Sequence, residues 1–365
     1  MRVEKEYFQT CAVFLYGAGN LGKKLFHCFE ENDIHVFGFI DRRSDSLKVK
    51  LGAVFSLDDT ALNPYIADSV VVLSGLFGRA QERNIRNALG KRGFSHVCSL
   101  REIDWGSLDA EDFLRNIFIG DFNSFQLDKE ETRQSISEVV NLFSTEAERE
   151  YIRCYIKAHQ LRDYGLFPEP LELEHQYLAD GLEEKIDLTV FVDCGAFDGD
   201  VLRRFLDDGQ EVGTYIGFEP QMEFCRHISD TIASYRKVRQ GIVFPCGVSD
   251  AWESIRFSSS SEGASAAKAD AHGKEIIQCI PLDEALHGIR PTFLKMDIEG
   301  MEWKALHGAS KTIREYHPQL AICVYHALSH IWEIPLYIKS LYGGYRFYIQ
   351  NYQYMGLETV VYAFP

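Results

Sequence analysis

The segment that most constrains the fold of this chain is residues 190–200, where an apolar run leads into a glycine turn. Residues 190–192 are β-branched and aromatic, which is typical of a strand covered on both faces. Gly195 and Gly199 stand where a turn needs a positive φ or where a ligand approaches bare backbone. A helix predicted over residues 201–206 would point its first amides at the turn. This order predicts one strand–turn–helix unit of an α/β sheet.

The turn also carries negative charge, because Asp193 and Asp198 belong to it. Helix N-terminal amides favour anions, so acids in the turn argue against a bound phosphate. They favour a ligand that is cationic, rich in hydroxyls or equipped with an amine. A tight turn that binds no ligand is the alternative interpretation of the same glycines.

Three more predicted strands follow, and each is followed by polar or acidic groups. They are residues 214–218 before Glu219 and Pro220, residues 242–246 before Ser249 and Asp250, and residues 292–296 before Asp297, Glu299 and Glu302. One carboxylate offers two acceptor oxygens, so an acid at the tip of the second strand can hold both ribose hydroxyls of a nucleoside. Since ligands of open α/β sheets bind at the carboxyl ends of strands, these groups are predicted to share one site.

This ordered set of motifs resembles the FkbM-type methyltransferase family, class I enzymes that use S-adenosylmethionine (SAM). The Lys-x-Asp-x-Glu-Gly-x-Glu pattern from Lys295 to Glu302 is its most specific part, and the resemblance covers residues 190–365. It implies an α/β fold with a class I methyltransferase Rossmann-like sheet. An antiparallel hairpin, predicted at residues 345–350 and 358–363, would close that sheet. The implied reaction is O-methylation of a hydroxyl on a sugar, polysaccharide or natural-product acceptor.

The resemblance also implies which residues hold the cofactor. The implied SAM site comprises Asp193, Cys194, Gly195, Ala196, Phe197, Asp198, Gly199, Glu219, Pro220, Ser249 and Asp297. Gln176 and Tyr177, which precede the first strand of this region, are implied to cover it. No metal is predicted, because carboxylates without His or Cys at ligand spacing are weak evidence for one.

Removal of the acceptor's proton needs a base, since methyl transfer from a sulfonium otherwise requires mainly alignment. The candidates are Asp297, Glu299 and His326. His326 follows a fifth predicted strand at residues 319–324. Its ordinary pKa of about 6.5 would leave it largely neutral at pH 7, as a base must be. A structural role for His326 is the alternative.

Residues 1–104 are predicted to form a smaller N-terminal Rossmann-like α/β domain. A strand at residues 12–16 leads into Gly-x-Gly-x-x-Gly and a helix, and an acid follows about 20 residues further on, as in dinucleotide-binding folds. The candidate nucleotide site comprises Gly17, Gly19, Asn20, Leu21, Gly22 and Asp41. Gly19→Val is expected to weaken folding of this domain. Alternatively the glycines serve packing, and the domain binds a partner domain or nothing.

Two further segments complete the domain prediction. Residues 105–189 are predicted to be a helical connector that packs on the catalytic domain, residues 190–365, because apolar residues recur at helical spacing. Residues 258–267 are small and polar, and form either a lid over the substrate pocket or a surface loop. Arg42 and Arg43, directly after Asp41, either face a phosphate or are solvated loop charges.

Composition restricts the partners. The net charge of −16 argues against nucleic acid as the main substrate, because phosphate binding needs a basic face. Nine cysteines without a Cys-x-x-Cys pair fit reduced thiols. The chain shows no signal peptide and no run of about 20 apolar residues. We therefore expect a cytoplasmic protein, without a membrane span, that acts on a small-molecule or carbohydrate acceptor; the oligomeric state is open, a homodimer included.

Two other functions are open from the sequence. The first is an NAD- or nucleotide-sugar-linked enzyme whose chemistry lies in the N-terminal domain, although residues 12–104 offer no convincing catalytic Tyr-x-x-x-Lys, Lys or His set. The second is a non-catalytic protein that retains the methyltransferase fold. The acids at 193, 219 and 297 argue against the second.

Overall fold

The computed structural model describes residues 2–44, 52–115, 117–118, 127, 129–258, 268–269 and 273–365. The chain divides into two compact units. Unit one comprises Met1–Phe118, Tyr151–Leu173 and Tyr352–Leu357, and unit two comprises Ile119–Glu150, Glu174–Asn351 and Glu358–Pro365. The predicted domain boundaries at residues 104 and 189 concern which segments fold independently, and they remain predictions. The predicted lid or loop at residues 258–267 lies outside the described residues, apart from Ser258.

Unit one contains a five-stranded sheet in which all strands are parallel. Its strands are β1 (Ala12–Tyr16), β2 (Val36–Ile40), β3 (Ala53–Phe55), β4 (Ser69–Leu73) and β5 (His96–Ser99). The order β3-β2-β1-β4-β5 places the strand order reversal beside β1. All five residues of β4 are buried, as a strand covered on both faces requires.

The helices of unit one follow the strands as an α/β fold requires. They are α1 (Lys5–Gln9), α2 (Asn20–Glu31), α3 (Arg79–Arg92), α4 (Glu111–Leu114) and most of α6 (Glu146–Leu161). α2 buries Leu25 and Phe29, four residues apart on one face. α3 ends at Gly93, whose φ of 107° is a conformation that glycine adopts without strain.

Unit two contains a seven-stranded sheet with the order β15-β16-β14-β13-β6-β7-β8. Its strands are β6 (Val190–Cys194), β7 (Val212–Phe218), β8 (Val238–Phe244), β13 (Phe293–Met296), β14 (Gln319–Cys323), β15 (Arg346–Asn351) and β16 (Thr359–Phe364). The first five pair in parallel, whereas β16 runs antiparallel between β14 and β15. The predicted α/β sheet with a closing C-terminal hairpin is confirmed.

Along the chain, a small mixed sheet is inserted between β8 and β13. It comprises β9 (Gly247–Val248), β10 (Glu253–Ser258), β11 (Lys268–Ala269) and β12 (Glu275–Ile280). The other helices of unit two are α5 (Glu130–Val140), α7 (Asp200–Asp207), α8 (Met222–Ser234), α9 (Leu282–Ala285), α10 (Glu302–His307), α11 (Ser310–Tyr316) and α12 (His330–Leu341). Within the described part of the chain, no helix combines the length and the apolar character that crossing a membrane demands.

One strand begins earlier than the sequence predicts, and the segment after the Asp297 turn forms two helices, α10 and α11. They part at Gly308, whose backbone packs so closely on the Ser249 carbonyl that a Cβ there would lie 2.0 Å from its oxygen. The third strand, β8, begins four residues before the predicted start at 242. The prediction missed these residues because the first half of the strand is mostly polar and exposed, without an apolar run.

Candidate functional site

The turn after β6 owes its shape to its glycines. Gly195 has a φ of 74°, and a Cβ there would lie 1.9 Å from the carbonyl oxygen of Asp297. Gly199, with a φ of 83°, precedes the first residue of α7. Phe197 also has a positive φ, 48°, which costs an aromatic residue about 1–3 kcal/mol. Strain of this kind concentrates at functional sites, and the Phe197 ring remains 37% exposed.

Glu219, at the end of β7, is tied to this turn. Its Oε2 accepts a hydrogen bond from the Phe197 amide at 3.0 Å, and its Oε1 accepts one from the Gln221 amide at 2.8 Å. The side chain is only 4% exposed. Burial raises the pKa of Glu219 to about 7, although the two amides and Lys295 oppose the rise. Each oxygen retains a further lone pair, so the carboxylate can still accept ligand hydroxyls.

Asp193 lies beneath the turn, fully buried, and it has protein partners. Lys295 Nζ is 3.0 Å from its Oδ1, and the Tyr215 hydroxyl donates to its Oδ2 at 2.9 Å. Lys295 Nζ also donates to the Gly195 carbonyl at 2.7 Å. Burial lowers the pKa of Lys295, but Asp193, Asp297 and Asp200 together raise it by more, so Lys295 stays protonated. The buried pair therefore supports the turn from below, and direct contact of Asp193 with a cofactor stays a prediction.

Several other predicted cofactor residues are also engaged within the protein. Cys194 and Ala196 are buried, and the Ala196 amide donates to the Phe218 carbonyl at 3.1 Å. The buried Ser249 hydroxyl donates to Glu253 and, at 3.2 Å, to Asp250. Asp198 forms an ion pair of 2.8 Å with Arg203. Pro220 is half-buried directly after Glu219.

The predicted pair before β6 does reach the acidic strand end. The Tyr177 hydroxyl donates to Asp297 Oδ2 at 2.9 Å, and Gln176 Nε2 donates to Glu358 Oε2 at 2.8 Å. The Tyr325 hydroxyl lies 3.2 Å from Glu358 Oε1 and 3.5 Å from Asp297 Oδ1. Glu358 was not predicted; its signal was a single acid immediately before the apolar strand β16. Burial, with Asp297 nearby, raises the pKa of Glu358 to about 7.

The three predicted catalytic residues converge at the ends of β13 and β14. His326 Nε2 lies 3.5 Å from Glu299 Oε2 and 3.7 Å from Asp297 Oδ1. On the other side of the ring, His326 Nδ1 lies 2.8 Å from Glu302 Oε1. Glu302 is fully buried, and its Oε1 also accepts from the Ile298 amide at 2.9 Å. Glu302 thus holds the imidazole with its other nitrogen toward Asp297 and Glu299.

The charge state of His326 differs from the sequence-based expectation. Burial lowers the pKa of His326, but the carboxylates of Glu302, Glu299 and Asp297 raise it to about 10. Burial raises the pKa of Glu302, but His326 and its other partners lower it to about 2. Burial raises the pKa of Glu299 to about 8, although His326 opposes the rise. His326 is therefore an imidazolium at pH 7, and the expectation of a neutral base is wrong for the unliganded protein.

The same cluster has the composition of a cation site. Asp297, Glu302 and His326 each present a ligand atom within 4.8 Å of the others. Without an ion the same side chains form an ion-pair network, in which His326 Nδ1 lies 2.8 Å from Glu302 Oε1. A cation bound here would have to displace the proton of His326, because a histidine ligand is neutral.

The raised pKa values predict that the unliganded protein loses stability between pH 6 and pH 9. Glu219, Glu299 and Glu358 titrate near pH 4.5 when unfolded but at about 7, 8 and 7 when folded, and His326 titrates at about 10 instead of 6.5. The native state therefore binds more protons than the unfolded state in this range. Each extra proton costs about 1.4 kcal/mol per pH unit as the pH rises. Urea denaturation at several pH values measures the slope. A Glu299→Gln variant should show a shallower decline, and a stability that rises with pH would contradict the assignment.

The predicted nucleotide residues of unit one also come together. Gly17, Gly19, Asn20, Leu21, Gly22 and Asp41 all line one cavity of about 420 Å³. Arg42 and Arg43 line it as well. This cavity lies wholly within unit one and is separate from the residues around Asp297.

Comparison with known proteins identifies the region that carries the acidic strand ends. Residues 193–355 match the family model of the methyltransferase FkbM domain. The crystal structure of the methyltransferase FkbM from Methylobacillus flagellatus KT matches with a TM-score of 0.65 at 19% sequence identity, covering 99% of this chain and 92% of that chain. At that identity the likeness establishes the fold alone. No curated protein matches the chain. Residues 193–355 of this chain are therefore similar to the methyltransferase FkbM domain, and the whole chain shares the fold of a methyltransferase FkbM.

Proposed function

We propose that unit two is a SAM-dependent methyltransferase that transfers a methyl group to a hydroxyl of its acceptor. One observation carries the proposal: the turn held by Glu219 and the cluster of Asp297, Glu299 and His326 lie at the carboxyl ends of neighbouring strands of one sheet. Open α/β sheets bind ligands at that edge. The family implies SAM as the cofactor, and SAM supplies an already activated methyl group.

The charges around the site favour a cationic cofactor. Asp297, Glu299 and Glu358 lie near a single imidazolium, His326, whose charge is already shared with Glu302. Crowding of these acids raises the pKa values of Glu299 and Glu358, so a cation bound beside them would be stabilised as both groups ionise; the sulfonium and ammonium groups of SAM are such cations. Glu219 would hold the ribose hydroxyls through its remaining lone pairs. Asp297, fixed by the Tyr177 hydroxyl, would face the amino-acid end.

Proton removal from the acceptor falls to a carboxylate, because His326 is already protonated. The two oxygens of Asp297 are engaged by the hydroxyls of Tyr177 and Tyr325. Glu299 has a positive φ of 54°, a rare conformation for this residue type, and its pKa of about 8 is close to the working pH that suits a general base. We assign the base to Glu299. The imidazolium of His326, 3.5 Å away, would hold Glu299 in place and stabilise its carboxylate.

The acceptor class follows from the family resemblance: a hydroxyl of a sugar, a polysaccharide or a natural product. Mass spectrometry of SAM reactions with members of these three classes tests it: a methylated product is heavier than its acceptor by one CH₂, and fragmentation shows whether the methyl group is on oxygen, nitrogen or carbon. Methylation of an amine or a carbon in place of a hydroxyl would overturn the O-methyl assignment but leave the SAM site standing.

Glu219→Gln is expected to weaken SAM binding about 10- to 100-fold, because a hydrogen bond to a charged acceptor contributes about 1.5–3 kcal/mol. The amide would also turn an NH₂ group toward either the Phe197 or the Gln221 amide. Isothermal titration calorimetry at pH 8, above the pKa of Glu219, measures the affinity. Glu223→Gln, an exposed position in the first turn of α8, is the matched control and should bind SAM normally. Equal affinities for both variants would remove Glu219 from the site.

A further inference from the structure

We propose that the glycine-rich turn of unit one is a second ligand site, which binds a nucleoside diphosphate. The cavity of about 420 Å³ opens where β1, β2 and β4 end. Its walls come from the turn after β1, from the Asp41 segment after β2 and from Ser74 and Gly75 after β4. β1 lies between β2 and β4, so the cavity is at the point of the sheet where open α/β folds bind ligands.

The three glycines of the turn are present for different structural reasons. Gly17 has a φ of 110°, and a Cβ on Gly22 would lie 2.0 Å from the Gly17 carbonyl oxygen, so the fold itself requires both. Gly19 has an ordinary φ of −73°, and a Cβ there would have no atom within 4 Å. The fold does not require a glycine at 19, and the predicted loss of folding in Gly19→Val is corrected. The missing side chain instead leaves the backbone open to the cavity, as the close approach of a phosphate demands.

The charges in this cavity suit an anion. The twelve-residue helix α2 begins beside it with no side chain capping its N-terminus and no acid in its first turn. Its first amides therefore carry partial positive charge toward the cavity. Arg42 and Arg43 line the cavity with the single acid Asp41; Arg43 pairs with Asp41 at 3.5 Å, so the three groups together leave one net positive charge. The positive character of this cavity contrasts with the net charge of −16 of the whole chain.

The corresponding turn of unit two has the opposite charge. Asp198 lies in that turn, Asp200 is in the first turn of α7, and Glu219 accepts from the turn's backbone. The two sheets thus use the same strand–turn–helix geometry for different ligands. The acidic turn suits the cationic cofactor proposed above, and the turn of unit one suits phosphate groups.

Asp41 indicates that the ligand carries a ribose. It ends β2 and is only 8% exposed; its Oδ2 accepts from the Ala18 amide at 2.9 Å, and its Oδ1 accepts from the Arg43 amide at 2.9 Å. Burial raises the pKa of Asp41, but the Ala18 and Arg43 amides and the Arg43 side chain together lower it by more, so the group is ionised at neutral pH. Oδ2 keeps a lone pair for a hydroxyl, whereas Oδ1 also faces Arg43 Nε at 3.5 Å; an acid at this position of a Rossmann-like sheet binds ribose hydroxyls.

The extent of the sheet argues for a mononucleotide. Two complete halves of a dinucleotide fold comprise six strands, whereas the described sheet of unit one has five, in the order β3-β2-β1-β4-β5. The half that contains β1, β2 and β3 is complete, and the cavity is at its edge. One nucleoside with its phosphates on the turn accounts for Asp41, the open Gly19 backbone and the two arginines.

Calorimetry on the full chain tests the site with ADP, GDP, CDP and UDP, each added in the presence of saturating S-adenosylhomocysteine. At least one of the four should bind with a stoichiometry of one. Gly19→Val should lower that affinity at least 10-fold and leave the melting temperature within a few degrees of the wild type. Gly78→Val is the matched control: Gly78 precedes α3 as Gly19 precedes α2, its φ is −65°, no atom lies within 4 Å of a Cβ there, and it is outside the cavity lining. It should bind normally.

Two further measurements separate the nucleoside from the phosphates. Asp41→Asn should weaken binding of the nucleoside diphosphate and leave that of inorganic diphosphate unchanged. If Gly19→Val does not fold, the double variant Arg42→Gln with Arg43→Gln serves in its place, with the same expected loss. The proposal is overturned if none of the four nucleotides binds, if inorganic diphosphate binds as tightly as they do, or if S-adenosylhomocysteine competes with them.

Discussion

Lys295→Met is expected to lower the free energy of unfolding by about 3–5 kcal/mol, because it leaves the buried carboxylate of Asp193 without its cation. The Nζ–Oδ1 distance is 3.0 Å, and both side chains are almost completely inaccessible, at 2% and 0% exposure. Methionine preserves the apolar length of the side chain, so lost packing contributes little. Chemical denaturation at pH 7 measures the loss. The substitution also removes the donor to the Gly195 carbonyl, so SAM affinity should fall as well.

The control for this variant is an ion pair at the surface. Lys304 Nζ lies 3.2 Å from Glu253 Oε1, and its side chain is 48% exposed. Lys304→Met should change the unfolding free energy by at most about 1 kcal/mol, since solvent screens exposed pairs. Asp193→Asn combined with Lys295→Met should recover part of the loss, because no unpaired buried charge remains. A loss of less than about 1 kcal/mol in Lys295→Met would show that Asp193 is protonated in the native state, and would contradict the pair.

The sequence predicted the positions of the strand ends because their signals are local. Apolar runs that stop at a glycine or an acid place the ends of β7 and β13 at the correct residue and the end of β6 within two residues, since buried parallel strands are continuous apolar segments. The same reasoning was less successful for β8, an edge strand with polar residues in its first half. It missed α12, which is apolar on most sides and contains Pro335, so that it lacks the amphipathic pattern of a surface helix.

The electrostatics of the site could not be predicted from the sequence in the same way. His326 is separated from Glu302 by 24 positions, and nothing local in the sequence shows that their side chains meet. The protonation state of the histidine depends on that contact and on Glu299 and Asp297, so it follows only from the three-dimensional arrangement. Glu358 reaches the same cluster by way of the C-terminal hairpin. Gly19 illustrates the same point for the backbone. It belongs to the same motif as Gly17 and Gly22, but only the structure shows that the fold requires those two glycines, whereas at Gly19 a side chain would have room.

Glu299→Gln is expected to lower turnover about 10²- to 10⁴-fold on the acceptor identified by mass spectrometry, because general-base catalysis contributes that much. SAM affinity should stay within a few-fold, since the ribose contacts are assigned to Glu219. In the wild type, kcat/KM should rise with pH and reach a plateau above about pH 8, because the Glu299 carboxylate is only half-populated at its pKa of about 8. Because deprotonation of Glu299 also lowers the stability of the folded protein, unfolding sets the highest pH at which kcat/KM can be measured. Asp297→Asn should weaken both SAM binding and turnover.

A second variant decides between Glu299 and His326 as the base. His326→Gln, combined with Glu302→Gln so that no buried carboxylate is left unpaired, removes the positive charge 3.5 Å from Glu299. That charge lowers the pKa of Glu299 by more than the Glu302 carboxylate raises it, so removing both should shift the pH dependence of kcat/KM to higher pH. Turnover should then recover at alkaline pH, where Glu299 is ionised again. If His326 were the base, turnover would be lost at every pH while Glu299→Gln remained active, and the roles assigned to the two residues would be exchanged.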